Sequence, residues 1–214
     1  MRPSAILWDL DGTLCDGAAA ILDAFEHACR ERGRNVPPRE AVVSRIGMPL
    51  RLMFRDLLGV EDRESAALVT SYRARFEREA PRLVRAAPGA MDAIAAFPKV
   101  PMAVVTTKAT EPARTVLKAL GLDARIATVV GVDTVRRPKP DPEGVRVALA
   151  RLQVGALESV FVGDTVMDVL AGKGAAVRTV AVENGHGDPS ELKAAQPDAL
   201  IPDLTHLARV ISSL

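Results

Sequence analysis

At 214 residues, with a formal net charge of +1, 48% apolar residues and only 3% aromatic ones, the chain suits one large domain or a core plus an insertion, and it has no global field to draw it to nucleic acid or a membrane surface. Cys15 and Cys29 are its only cysteines, too few for a disulfide framework or a thiolate metal centre, which points to a cytosolic setting. No segment has the length of a membrane span, and the first apolar run is cut at Asp9 before it could form a signal-peptide core.

In chain order, Ala5-Ile6-Leu7-Trp8 predicts a short interior strand of a parallel sheet. It stops at Asp9-Leu10-Asp11-Gly12-Thr13-Leu14, where a carboxylate is costly unless paired, hydrogen-bonded or metal-bound. Alternate residues of a strand point the same way, so Asp9 and Asp11 can share a face, and Gly12 lets the backbone approach a ligand closely. Residues 16–84 are helical in period, rich in Arg, Glu and Ala, and contain no convincing strand. They read as an inserted helical domain with hinges at Cys15-Asp16-Gly17 and Ala86-Ala87-Pro88-Gly89.

Beyond residue 98 the pattern becomes βαβα. Strands are predicted at Met102 to Thr106, Thr128 to Val132, Ser159 to Val162 and Arg178 to Val182, with helices near Glu111 to Leu120, Pro142 to Leu152 and Val166 to Ala171. Together these predict an α/β fold, a doubly wound parallel sheet of Rossmann-like type carrying the α-helical insertion. The core would be residues 1–15 and 85–214, and the insertion 16–84.

Three signals sit at the ends of these strands or beside them. Val104-Val105-Thr106-Thr107-Lys108 supplies hydroxyls and backbone donors of the kind that hold phosphoryl oxygens. Arg137-Pro138-Lys139-Pro140-Asp141-Pro142 fixes a lysine between prolines, so that its charge can be aimed with little reorganisation. Phe161-Val162-Gly163-Asp164-Thr165-Val166-Met167-Asp168 ends a strand in one carboxylate, with a second a helical turn later. Lys108 reads as a solvated loop lysine, His27 and His206 as surface residues, His186 as a loop residue without a defined role, and Trp8 and Phe161 as core.

With these residues in place, the chain closely resembles the haloacid dehalogenase superfamily over essentially its whole length, specifically the phosphatases with a helical cap inserted after the first motif. Asp9 to Leu14 matches the first motif, Thr106 the second, Lys139-Pro140 the third, and Gly163-Asp164 with Asp168 the fourth. Gly185-His186-Gly187 before Ser190-Glu191-Leu192 is similar to a late loop of phosphoglycolate-phosphatase-like members. Thr107 stands where many relatives carry Asn, and Pro138 where Gly is more usual; neither change removes a catalytic group.

The resemblance implies a small phosphorylated metabolite as substrate. It also implies Asp9 as nucleophile, Asp11 as general acid and then base, and Thr106 and Lys139 as holders of the phosphoryl group, with Gly12 and Thr107 beside them. Mg²⁺ would be bound by Asp9, the main-chain carbonyl of Asp11 and Asp164, with Asp168 orienting the shell. Electrostatics point the same way. Asp9, Asp164 and a phosphate dianion repel by about 4 kcal/mol per unit-charge pair at ~4 Å and an effective dielectric of about 20, which calls for a divalent cation. Arg45 and Arg51 flank Ile46-Gly47-Met48-Pro49, similar to a substrate-facing loop of capped relatives, where an arginine can fork onto a carboxylate. The leading substrate is 2-phosphoglycolate, with a pyrophosphatase or a sugar-phosphate phosphatase or mutase as alternatives.

Other rivals meet specific objections. Mutases of the family carry a His just after the first motif, where this chain has Ala18-Ala19-Ala20-Ile21, and a phosphonate hydrolase needs a cap lysine, whereas no lysine precedes Lys99. A dehalogenase would need neither Asp11 nor Asp164, and a catalytically silent metabolite-binding protein would be expected to have lost one of the motif residues.

Overall fold

The computed structural model describes residues 3–214. The chain runs from β1 (Ala5–Trp8) and β2 (Cys15–Asp16) into α1 (Ala18–Glu31), α2 (Arg39–Val43), α3 (Leu50–Leu58) and α4 (Asp62–Leu83). It returns through β3 (Arg85–Ala86) and α5 (Ala90–Ala95), then alternates β4 (Met102–Val105), α6 (Thr110–Ala119), β5 (Thr128–Val130) and α7 (Glu143–Leu152). The remainder is β6 (Ser159–Gly163), α8 (Val166–Gly174), β7 (Arg178–Val182), α9 (Pro189–Ala194), β8 (Ala199–Ile201) and α10 (Leu207–Ser213).

Six strands form one sheet in the order β5-β4-β1-β6-β7-β8, every pairing parallel. From β1 the chain winds outward through β4 and β5, then crosses back to β6 on the other side. β1 is therefore the strand where the winding reverses, and the crevice at the carboxyl ends of β4, β1 and β6 is where such sheets hold ligands. Because helices cover both faces, the inner strands are apolar on both sides. Ile6, Trp8, Met102 and Val104 join one core cluster with Ala113, Val116 and Leu117 of α6, whereas Leu7, Ala103, Val105 and Phe161 pack with Val145 and Ala148 of α7. Trp8 and Phe161 are buried, as their apolar strand runs imply.

Between the two strands of a small antiparallel ribbon, in which Cys15 faces Ala86 and Asp16 faces Arg85, the chain is helical. An aromatic column holds these helices together. Phe25 of α1 stacks on Phe54 of α3 at 4.4 Å between centroids, Phe54 meets Tyr72 of α4 edge-on at 6.2 Å, and Tyr72 stacks on Phe76 at 5.7 Å. The spacing Tyr72 to Phe76 is one helical turn, which puts both rings on one face of α4.

Several boundaries differ from the sequence reading. β4 ends at Val105, which leaves Thr106 just beyond the strand, and β5 ends at Val130, before Gly131. α5, α9, β8 and α10 lie outside the elements that the sequence predicts. β8 has only three residues and is followed directly by Pro202, so it offers no periodic signal; it exists because β7 provides an edge to pair with.

Candidate active site

Three neighbouring strands deliver three polar residues to one edge: Asp9 follows β1, Thr106 follows β4 and Asp164 follows β6. All three are buried. Lys139 enters from the segment between β5 and α7 and places Nζ 2.8 Å from Asp9 Oδ1 and 2.5 Å from Asp168 Oδ1. The other Asp168 oxygen accepts from the Thr165 backbone N–H at 2.9 Å and from its hydroxyl at 2.6 Å, a helix-start arrangement that locks the side chain. Asp168 therefore has both oxygens engaged, and what it orients directly is Lys139.

Asp164 is held just as firmly. Thr13 Oγ1 donates to its Oδ1 at 2.6 Å, and the His186 backbone N–H donates to its Oδ2 at 2.8 Å. Gly12, at φ +85°, leaves room for it: a Cβ there would come within 2.1 Å of Asp164 Oδ2. The close approach expected of Gly12 is thus made to a carboxylate of the protein itself. His186 enters the site through its backbone N–H, and its ring also lies against Gly12, where a Cβ would come within 2.8 Å of Cδ2. The sequence signal that finds it is its flanking pair of glycines, since a Cβ on Gly185 or Gly187 would also collide with Asp164.

Asp9, Asp164 and Asp168 each place a carboxylate oxygen within 4.8 Å of the others. Three buried acids lie around one ammonium, which pairs with Asp9 and Asp168, and the deficit shows in the proton affinity of Asp9 and Asp164. Burial, reinforced by its acidic neighbours, pushes Asp9 well above the usual carboxylate range even though Lys139 pulls it down. Burial and then Asp168 push Asp164 up to about 6, against the hydrogen bonds from Thr13 and His186. Lys139 is raised above the usual lysine value because Asp168 and Asp9 outweigh its own desolvation. A hard, all-oxygen donor set with excess negative charge fits a divalent cation such as Mg²⁺.

Asp11 faces elsewhere. Its Oδ2 lies 3.0 Å from Lys108 Nζ, and its carboxylate is not among the three that cluster. Lys108, expected to be solvated, is instead largely covered, its side chain 10% exposed and its ammonium 4.3 Å from the Phe76 ring centroid. Its cover comes from α4, an element more than twenty residues upstream. Desolvation is the largest single influence and opposes its charge, but Asp11 together with Tyr72 and Cys15 outweighs it and holds the pKa above the ordinary lysine value.

A cavity of about 460 Å³ opens above this edge. Asp11, Thr107 and Lys108 line its floor; Ile21, Ile46, Met48, Leu50, Met53 and Tyr72 give it largely apolar walls. Asp9, Lys139 and Asp164 lie outside its lining. Of the two arginines singled out in the sequence, Arg51 borders the cavity and Arg45 does not. Both have local partners, the Arg45 guanidinium donating to Asp56 Oδ2 at 2.9 Å and to Ser44, and that of Arg51 to the Asp62 carbonyl at 3.1 Å, so position relative to the cavity alone separates them. Arg73 of α4 borders the cavity as well and was not anticipated; in an arginine-rich helix nothing local distinguishes it.

The family model described as haloacid dehalogenase-like hydrolase matches residues 6–182. The chain is 34% identical to "Probable phosphatase IndB" of Dickeya dadantii, over 100% of this chain and 95% of that protein. It is 33% identical to "Pyrophosphatase PpaX" of Bacillus velezensis, over 98% and 96% respectively. The crystal structure of a predicted phosphatase from Clostridium acetobutylicum has the same fold, with a TM-score of 0.89 at 21% identity and complete coverage of both chains.

Proposed function

The chain belongs to the haloacid dehalogenase-like hydrolases and is a phosphatase of that family; from that premise we propose that it hydrolyses a small phosphomonoester through an aspartyl phosphate on Asp9, with Mg²⁺ as cofactor and 2-phosphoglycolate as leading substrate. The observation that carries this reading is the division of the acids: Asp9 sits with Lys139 and Asp164 below the cavity, while Asp11, two residues on, faces into it.

In this reading Asp9 Oδ attacks phosphorus and the bond to the leaving oxygen breaks, Asp11 giving that oxygen its proton. Asp11, now ionised, takes a proton from water as the water attacks the acyl phosphate, which regenerates Asp9 and releases phosphate. Thr106 and Lys139 hold the non-bridging oxygens, and Lys139, fixed by Asp168, needs no reorganisation as charge shifts. Asp9, the main-chain carbonyl of Asp11 and Asp164 would hold Mg²⁺, which supplies charge neutralisation and polarises a phosphoryl oxygen. Residues 16–84 act as the cap, excluding water from the site. Among the described residues no helix is long and apolar enough to cross a membrane, and the free, buried Cys15 and Cys29 suit a reducing cytoplasm.

Pyrophosphate is the second reading, favoured by the 33% identity to a protein named for that activity. The largely apolar walls suit a monoester with an organic body over pyrophosphate, which offers nothing for them, but they do not select phosphoglycolate, whose one methylene gives them little to hold. The test is phosphate release from 2-phosphoglycolate, pyrophosphate, hexose phosphates and nucleoside monophosphates, with Mg²⁺ and with excess EDTA. Fastest release from phosphoglycolate, lost in EDTA and restored by Mg²⁺, supports the first reading. Preference for pyrophosphate selects the second, and undiminished turnover in EDTA overturns the metal assignment.

A further inference from the structure

We propose that Lys108 is a positioning residue for Asp11: gripped between the Asp11 carboxylate and the aromatic face of α4, it holds that carboxylate where the leaving group passes into the cavity. The inference rests on the reading of Asp11 as general acid.

Two lysines of the site, Lys139 buried and Lys108 largely covered, pair with different carboxylates. Lys139 pairs with Asp9 and Asp168, and Lys108 pairs with Asp11 alone. At 3.0 Å, with side chains only 10% and 11% exposed, the Lys108–Asp11 pair is shielded from the screening that weakens surface pairs. The ammonium has few other places to go. Below it the Lys108 backbone N–H donates to Thr106 Oγ1 at 3.2 Å and its carbonyl accepts from Val132 N–H at 3.1 Å. On its far side lies the Phe76 ring, itself stacked against Tyr72, an arrangement that attracts a desolvated cation.

Position completes the argument. Asp11 and Lys108 both line the cavity, and Asp9, Asp164 and Lys139 do not. The pair thus stands between the nucleophile and the space available to the body of the substrate. A general acid acts only within hydrogen-bond reach of the departing oxygen. Fixing Asp11 there limits its freedom to turn away, and because Phe76 belongs to α4, the grip depends on that helix being docked.

The test uses leaving-group dependence. Good leaving groups such as p-nitrophenolate need little protonation, whereas alkoxides need it fully. Values of kcat/KM are measured for p-nitrophenyl, phenyl and ethyl phosphates with the wild type, Lys108→Met, Asp11→Asn and the double variant. Lys108→Met should lose activity in proportion to leaving-group basicity, about 3-fold for p-nitrophenyl phosphate rising to about 100-fold for ethyl phosphate. In the Asp11→Asn background it should add nothing. A uniform loss across the series, or a Lys108→Met effect that persists in full without Asp11, overturns the inference. If Asp11→Asn itself shows no leaving-group dependence, the general-acid reading fails first. Should Lys108→Met not fold, Lys108→Gln, which keeps a donor, is measured the same way and should show the same trend at smaller amplitude.

Discussion

Asp9 is subject to two opposed influences: burial raises its proton affinity, and an ammonium 2.8 Å away lowers it. In the proposed mechanism Asp9→Asn keeps the shape but would remove both the nucleophile and a metal-ligand charge, so phosphate release should fall by about 1,000-fold or more while the far-ultraviolet circular dichroism is unchanged. Retention of near wild-type turnover would exclude the covalent route. The two arginines that flank the Ile46–Pro49 segment should separate. Loss of a charge-assisted contact worth roughly 1.5 to 3 kcal/mol predicts that Arg51→Ala lowers kcat/KM for 2-phosphoglycolate by about 10- to 150-fold, with a far smaller change for p-nitrophenyl phosphate. Arg45→Ala, whose guanidinium serves Asp56, should change neither. At this scale Asp9, Asp164 and Lys139 are legible because the two acids end apolar strands and the lysine is fenced by prolines. Lys108 is not, since a lysine after two threonines looks the same whether water or Phe76 covers it.

Helices α1 and α4 meet along their length and share a forked ion pair, in which Arg75 donates to the two Asp23 oxygens at 2.7 and 2.9 Å. Arg75 holds the Asp23 carboxyl below its usual range. A depressed carboxyl stabilises the fold above its unfolded-state pKa, and that contribution is lost as pH falls through the lower folded value. Asp23→Asn should therefore lower Tm by about 1–3 °C between pH 5 and 8, the small size reflecting partial exposure, and the difference should close below about pH 4. Thermal melts of both proteins across that range check it, and a gap that persists in acid would mean that the pair acts through packing. The helical character of residues 16–84 is readable from period alone, but the order in which their aromatic rings stack is not. Likewise β8 escapes detection because three residues carry no pattern, and only the open edge of β7 makes them a strand.

Taken as a whole, the molecule concentrates negative charge at one sheet edge, and its stability should report that. Burial and Asp168 raise Asp164 to about 6. A carboxyl raised in the folded state favours folding when protonated, so the metal-free protein should lose stability as pH climbs from about 4 through about 6. In the proposed site Mg²⁺ would compete with that proton. At about 100-fold excess over Kd the ion should raise Tm by about 5 to 10 °C at pH 7 and much less at pH 5, measured by calorimetry with and without EDTA. A shift independent of pH would argue that Asp164 is not among the ligands. Sequence alone determined the parallel sheet, the place of the helical stretch and the residues at the strand ends, because burial periodicity and punctuation by Asp, Gly and Pro are local properties of a chain. Tertiary structure alone decided which lysine meets which acid, which arginine borders the cavity, and that Gly12, Gly185 and Gly187 make room for Asp164. Those outcomes depend on distances between segments far apart in the chain, and no local pattern encodes them.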